Sequence, residues 1–318
     1  MIDTITLLVK SADVPSIDFM AELPLMLGKI KEEYDPKINS YKVKGSLGKA
    51  FHATVSTEGL LLTGSLCKEY FGNNQQTLTL ADTCLALTRL FNELGLPIEH
   101  AYVYRVDIGA NYIMESAPET YYPYFGDAMY YARSVLNTSL YYKNKSRQII
   151  FYDKLQEQEA KHVPTIEEYI GKNVLRFEYR IRRGLAERME REDVRALDLC
   201  DPTFYKSLLE KYQEAFMSIE KYSLVDFDPI AISDSKSFFN QLALLGIQSI
   251  GGQMVLNDIL SRAKKQGLFP NAMSYKRLKD RVKTTCNTPL LTCKSPLVDE
   301  LSNKVAAKVA AEILSLSF

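Results

Sequence analysis

In the stretch KSRQIIFYDK, residues 145–154, Tyr152 closes an apolar run and Lys154 follows two residues on. In an extended chain successive side chains alternate faces. Ile149, Phe151 and Asp153 then point one way, and Gln148, Ile150, Tyr152 and Lys154 the other. A phenol ionises near pH 10, and an ammonium on the same face favours the phenolate, so the pair has the composition of an activated nucleophile. It has equally the composition of a packed strand tyrosine with a polar tip. Two further segments carry charge at strand spacing. VYRVDIGANY puts Arg105 and Asp107 on one face, and VLRFEYRIRR sets Arg176, Glu178, Arg180 and Arg182 opposite Leu175, Phe177, Tyr179 and Ile181. A face of three arginines around one glutamate reads as a solvated sheet surface with cross-strand ion pairs. The same residues also suit a carboxylate pair on a divalent cation, with guanidiniums on phosphates. One antiparallel sheet joining the segments brings Asp107, Tyr152, Lys154 and Glu178 onto a common face. Such a set suits attack of Tyr152 on a phosphodiester, with Lys154 favouring phenolate and Asp107 and Glu178 holding Mg²⁺ or Mn²⁺. The histidines His52, His100 and His162 are isolated and form no His-x-His pair; His52, in FHATVS, is a candidate extra ligand.

The elements that must position these residues fall into two regions. Strands are predicted at 4–10 and 40–45 and through FHATVS and GLLLTGS, with glycines at the turns. A helix follows from Thr79, with Asp82 completing a capping box and Cys84, Leu87, Phe91 and Leu94 forming a stripe that ends at Gly95. Beyond it, IEHAYVYRVDIGANYI reads as a strand to about residue 114, TSLYYKN and RQIIFYDK as a hairpin, and NVLRFEYRIRR as another strand. From the YSLVDFDPIA stretch onward the pattern is helical, over 233–248, 250–266, 270–284 and 297–315. The fold class is therefore α+β, an antiparallel sheet with helices on one side followed by a helical C-terminal region. The boundary is set at residue 228, giving a chemistry-bearing part, 1–228, and a helical accessory part, 229–318. In the latter, residues 261–294 hold nine Lys and Arg against the single Asp280. There Lys276, Lys279 and Lys283 share a face opposite Tyr275, Leu278 and Val282, a disposition suited to DNA phosphates.

Bulk composition narrows the class. Lys plus Arg and Asp plus Glu balance at 39 each, so the chain is not a polycation that coats nucleic acid indiscriminately, and any such affinity must be local. Five cysteines, odd in number and without a C-x-x-C pair, fit reduced thiols in a cytoplasmic protein. The apolar run in MIDTITLLVK is too short for a signal peptide or a membrane span. A carbohydrate-binding reading fails on the absence of tryptophan and of a paired-carboxylate motif.

Taken in order, MIDTITLLV, GSLCKEYFGNN with LTLADTCLAL, RVDIGANY, YYKNKSRQIIFYDK and VLRFEYRIRR resemble the gene II/X family of filamentous-phage replication initiators and their plasmid relatives, over about residues 1–220. The resemblance implies a nicking and joining enzyme of rolling-circle replication, with a fold akin to the histidine-hydrophobic-histidine nucleases but without the histidine pair. It implies that Tyr152 is the nucleophile and Lys154 its companion, and it matches Arg105 with Asp107 and Arg176 with Glu178 to the family's charged strands. Candidate DNA contacts are then Arg105, Arg147, Arg176, Arg180 and Arg182, with Lys276, Lys279 and Lys283 in the helical part. The implied partners are phage or plasmid origin DNA, single- and double-stranded, and a host helicase and polymerase. Asp153 departs from the family, at a position where an apolar residue is expected. A relaxase or transposase of the same chemistry, or a noncatalytic origin-binding regulator, are the alternative readings.

Overall fold

The computed structural model describes residues 1–36, 40–136, 138–222, 224–225, 234–287, 292–293 and 295–317. Residue 228, the expected boundary, lies outside the described residues. The first strands are β1 (Ile2–Lys10), β2 (Gly28–Asp35), β3 (Ser40–Leu47), β4 (Phe51–Ser56) and β5 (Gly59–Ser65), with the short helix α1 (Phe19–Glu22) after β1. Helices α2 (Leu66–Phe71) and α3 (Leu80–Leu94) lead to β6 (Ala101–Met114), then β7 (Phe125–Ala128), β8 (Ala132–Leu136), β9 (Ser139–Lys143) and β10 (Arg147–Asp153). After α4 (Lys154–Ala160) come β11 (Asn173–Ile181), α5 (Leu185–Arg188), α6 (Pro202–Met217) and β12 (Ile219–Lys221). Ten strands form one antiparallel sheet in the order β2-β3-β4-β5-β1-β6-β11-β10-β9-β8, while β7 pairs with β12 apart from it.

Alternation decides which face of that sheet is core. Ile5, Leu7 and Val9 of β1, Val106, Ile108 and Ala110 of β6, and Leu175, Phe177 and Tyr179 of β11 are all buried on one side. There they meet the apolar stripe of α3 and the inward face of α6, where Tyr212 stacks on Phe177 at 4.3 Å between ring centroids. The predicted capping box of α3 forms, with Thr79 and Asp82 bonded reciprocally, and Gly95 ends the helix at φ 62°, a conformation open to glycine without a Cβ penalty. Two strands of this ten-stranded sheet escape sequence reading. In β2 the charges of GKIKEEYD mask an edge strand, and most of β8 is exposed at the opposite edge.

The helical C-terminal region is two structures. Helices α7 (Ser235–Ser249), α8 (Gly252–Lys265) and α9 (Ala272–Cys286) have their own small core of Leu244, Leu260, Val282 and Cys286. Helix α10 (Pro296–Leu314) instead inserts Val298, Leu301, Val305 and Val309 into the core under the sheet. The strand pair β13 (Leu224–Val225) and β14 (Thr292–Cys293) closes the chain on both sides of the three-helix module. Helix α10, placed beyond 228 in the accessory part by the sequence, thus packs with the sheet-bearing part. Fully burying one such aliphatic side chain contributes about 1.5–3 kcal/mol. A fragment ending at 228 lacks four of them and should lose its cooperative thermal transition. A chain with 230–288 replaced by a short turn across β13 and β14 should keep it. A 1–228 fragment that melts cooperatively at the full-length temperature would show that α10 is dispensable. Among the described residues no helix is long and apolar enough to cross a membrane.

Candidate active site

Strand pairing assembles the site on the face opposite the core. The register sets Tyr152 beside Arg176, Ile150 beside Glu178, Glu178 beside Gly109, and Arg180 beside Asp107. Gly109 keeps that point open: a Cβ there would lie 3.0 Å from Glu178 Cγ and 3.1 Å from Arg176 Nη2, so the pair would have to give by a few tenths of an ångström. Tyr152 Oη donates to Glu178 Oε1 at 2.9 Å. Arg176 Nε donates to the same oxygen at 2.5 Å, and Arg180 holds Oε2 through Nη2 at 2.5 Å and Nε at 2.8 Å. Arg180 Nε also lies 3.5 Å from Asp107 Oδ2, and Arg105 grips Asp107 in a two-point pair at 2.8 and 2.6 Å.

This face is not the solvated surface that its composition suggests. Arg176 is 2 % and Glu178 3 % exposed. Arg176 is buried because the loop after α2 folds over it: its Nη1 donates to Asn74 O at 3.2 Å and to Asn111 Oδ1 at 3.1 Å, and its Nη2 pairs with Asp3. Asp3 and Asn74 escape sequence reading. The signal for Asp3 is a charged residue inside the otherwise apolar opening of β1; the signal for Asn74 is weaker, an amide in the turn that follows a glycine. Three guanidiniums, Arg105, Arg176 and Arg180, thus face three carboxylates, Asp3, Asp107 and Glu178.

Lys154 is placed differently from its expected position. The strand stops at Asp153, whose carboxylate accepts from Leu155 N at 2.8 Å and Gln156 N at 3.0 Å and so caps α4. That accounts for the departure at Asp153: a helix starts there. Lys154, as the first helical residue, leaves the strand alternation and is buried, with Nζ donating to Asn74 Oδ1 at 2.8 Å and Glu157 Oε2 at 2.7 Å. Burial, with repulsion from Arg176, pushes its ammonium down to about 8. The cation acting most strongly on Tyr152 is Arg176. Burial drives the phenol well above its ordinary range; Arg176 opposes that and Glu178 reinforces it, so Tyr152 rests as the neutral donor. Burial also works against charge on Glu178, but Arg176 and Arg180 outweigh it and hold the carboxyl below the usual range. For Asp107 burial prevails over Arg105 and Arg180, lifting it to about 6.

The donor set as folded does not fit Mg²⁺ or Mn²⁺. Each oxygen of Asp107 and Glu178 already accepts from Arg105, Arg176, Arg180 or Tyr152. Among the described residues no group of three or more His, Cys, Asp and Glu is arranged to hold an ion. His52 sits exposed on β4, in register with Thr63, away from these carboxylates.

The expected DNA contacts separate into distinct places. Arg180, partly exposed, lines an open cleft of ≈ 490 Å³ with Tyr152, Tyr141, Gln156 and Lys161. Arg105 is partly exposed on Asp107, and Arg182 is exposed just past the end of β11. Arg176 is sealed from solvent, so the expectation of a phosphate contact there is corrected to an internal ion pair. Arg147 shares strand parity with Ile149 and Phe151, on the face away from Tyr152, and its guanidinium lies 5.2 Å from the Tyr131 ring. In α9 Lys279 pairs with Asp127 at 3.3 Å and Lys283 with Glu220 at 3.0 Å, while their side chains stay 40 % and 61 % exposed. Leu278, expected inside, is 40 % exposed. Positions 273, 277, 281 and 284 form an exposed stripe of α9, which adds Arg277 and Arg281 to the exposed cations of this helix.

If Asp107 must be ionised to hold Arg105 and Arg180, nicking should fall as pH drops through about 6, where its carboxyl takes up a proton. Asp107→Asn should be slower and lack that limb. A single-turnover rate profile between pH 5 and 8 checks this; an unchanged limb in the variant assigns it to another group.

Residues 1–200 match the family model for the N-terminal part of the phage replication-associated protein of the gene II type. No curated protein matches the chain.

Proposed function

Because the chain belongs to this family of phage rolling-circle replication initiators, we propose that it nicks origin DNA by attack of Tyr152 and rejoins the ends through the resulting phosphotyrosine. The observation that carries this reading is the Tyr152 hydroxyl bonded at 2.9 Å to an ionised carboxylate, at the wall of an open cleft that Arg180 also lines. A phosphodiester entering the cleft competes with Glu178 for Arg180. Each hydrogen bond that Arg180 transfers to phosphate weakens its hold on Glu178 Oε2 and raises the basicity of that carboxylate. Glu178 then accepts the phenolic proton while Arg176 supports the phenolate from beneath. The Tyr152 Oη–P bond forms, the P–O3′ bond breaks, and the departing 3′ oxygen is protonated from solvent. Arg180 faces the charge that develops on the phosphoryl oxygens. The ester is conserved in the tyrosine link, so the reverse attack by a 3′ hydroxyl restores the strand. The freed 3′ end is what a host polymerase extends as a helicase opens the duplex.

Duplex recognition is assigned to the three-helix module. Lys276, Arg277 and Arg281 on α9, with Arg262 and Lys265 on α8, have no carboxylate partner among the described residues, whereas Lys279 and Lys283 hold the module to the sheet-bearing part. The deciding experiment is incubation of the protein with supercoiled origin DNA and Mg²⁺ or Mn²⁺, followed by denaturing electrophoresis. A nicked circle with protein covalently on its 5′ end supports the reading; origin binding with no adduct at any metal concentration supports a noncatalytic regulator instead. The same assay tests the cation. A Glu178→Gln protein that is slower but has an unchanged midpoint in metal leaves the carboxylate as an arginine partner, and a raised midpoint makes it a ligand.

A further inference from the structure

The sheet face that carries Tyr152 continues onto the N-terminal strands. Arg105 of β6 pairs with Thr6 of β1, Thr6 with Thr63 of β5, Thr63 with His52 of β4, and His52 with Ser46 of β3. The neighbouring row runs Leu8, Leu61, Thr54, Lys44 and Lys31. On these strands the alternate positions, among them Leu7, Leu62, Ala53 and Val43, are buried in the core, so both rows lie on the opposite, solvent-facing side. An open cleft of ≈ 620 Å³ lies on that side, bounded by Glu33, Ser40, Lys42, Lys44, Thr54 and Leu61.

The chemistry of this cleft is specific. Glu33 is the one acid among the residues that bound it, bonded by Lys44 at 2.6 Å and Lys31 at 3.2 Å, which leaves an excess of positive charge, with Lys42 beside it. Hydroxyls of Ser46, Thr54 and Thr63 line the rows, and Leu61, 40 % exposed, supplies an apolar floor. Cations suit phosphates and hydroxyls suit sugar and phosphate oxygens. An apolar floor suits the face of an unpaired base, which a duplex hides within its stack. From β10 to β4 is five strand steps, about 24 Å, a span that calls for a bound segment longer than the about four nucleotides at the low end of single-strand site sizes.

We propose that the solvent-facing side of β1, β3, β4 and β5, with its cleft, holds single-stranded DNA that flanks the phosphodiester presented to Tyr152. This rests on the Tyr152 cleft being the nicking site, and a binding measurement separates the two questions. Fluorescence anisotropy with oligothymidylates of about four and about twelve nucleotides is compared for the full chain and for Lys42→Glu/Lys44→Glu. The longer oligonucleotide should bind the variant at least about tenfold more weakly at low salt, with a log–log salt slope shallower by about 1.4, two contacts at roughly 0.7 each. The shorter one should bind both proteins alike, because it fits within the Tyr152 cleft. Lys42→Arg/Lys44→Arg should restore affinity and slope, which a merely misfolded face would not. The proposal is overturned if the longer oligonucleotide binds the glutamate variant normally, if the shorter one weakens equally, or if a duplex of matching length suffers the same loss. Absence of nicking by the full chain, with these binding changes present, would count against Tyr152 and leave the track standing.

Discussion

Tyr152→Phe protein will bind origin DNA and form no covalent adduct, with nicking reduced by at least a factor on the order of 10⁴, the scale on which loss of a nucleophile is felt. The substitution removes one oxygen and leaves the ring in place in the lining of the cleft. Its cost to stability is small for a physical reason. The lost hydrogen bond goes to Glu178, which keeps Arg176 and Arg180, so no buried charge is left alone. A change of about 1 kcal/mol in unfolding free energy is expected, and the thermal transition should remain cooperative. Peptide mapping of the wild-type adduct is the decisive measurement. A nucleotide carried on Tyr141, which lines the same cleft, would transfer the nucleophile's role to β9.

The second large effect distinguishes two arginines that grip one carboxylate. Arg180→Gln should leave a folded protein whose nicking falls by roughly 10²–10³, the range seen when one preorganised transition-state donor is removed. Arg176→Gln should instead unfold at markedly lower denaturant. It leaves Asp3 and Glu178 buried without their shared cation, and breaking a buried pair on one side costs about 3–5 kcal/mol. The pH dependence has a definite sign. Glu178 is held below its ordinary 4.5, so its pairing contributes stability above that value, and the contribution is lost as pH falls toward the lower folded-state value. The gap between wild type and Arg176→Gln should therefore be full at neutral pH and narrow below about 4.5. Chemical denaturation at pH 7 and at pH 3.5 measures it. Equal gaps at both would mean that Arg176 stabilises through packing alone. If instead Arg180→Gln unfolds and Arg176→Gln only loses activity, the roles of the two are reversed.

The pattern of residues determined the strand at 173–181 and its apolar face and the capped helix from Thr79, because each follows from periodicities of two or 3.6 residues and from local hydrogen bonding, whereas the register that joins the three charged segments in one sheet is set only by the fold. It also marked Glu178 and Arg180 as a charged face, since charge at alternate positions of a strand is visible without a structure, while the role of Tyr152 was implied only by the family resemblance. It failed wherever distant chain covers a face. Alternation separates the two sides of β11 but does not say which is dry, and only the folding of the Asn74 loop and Asp3 onto Arg176 turned a polar surface into a buried ion-pair cluster. Lys154 left the face of Tyr152 because Asp153 found two backbone amides to cap, a competition between strand and helix settled within one residue. Helix α10 reads like its three neighbours in sequence, yet its valines and Leu301 pack under the sheet while the others form a core of their own. A helical stripe records that a face must be buried; which apolar surface buries it is decided only when the whole chain is in place.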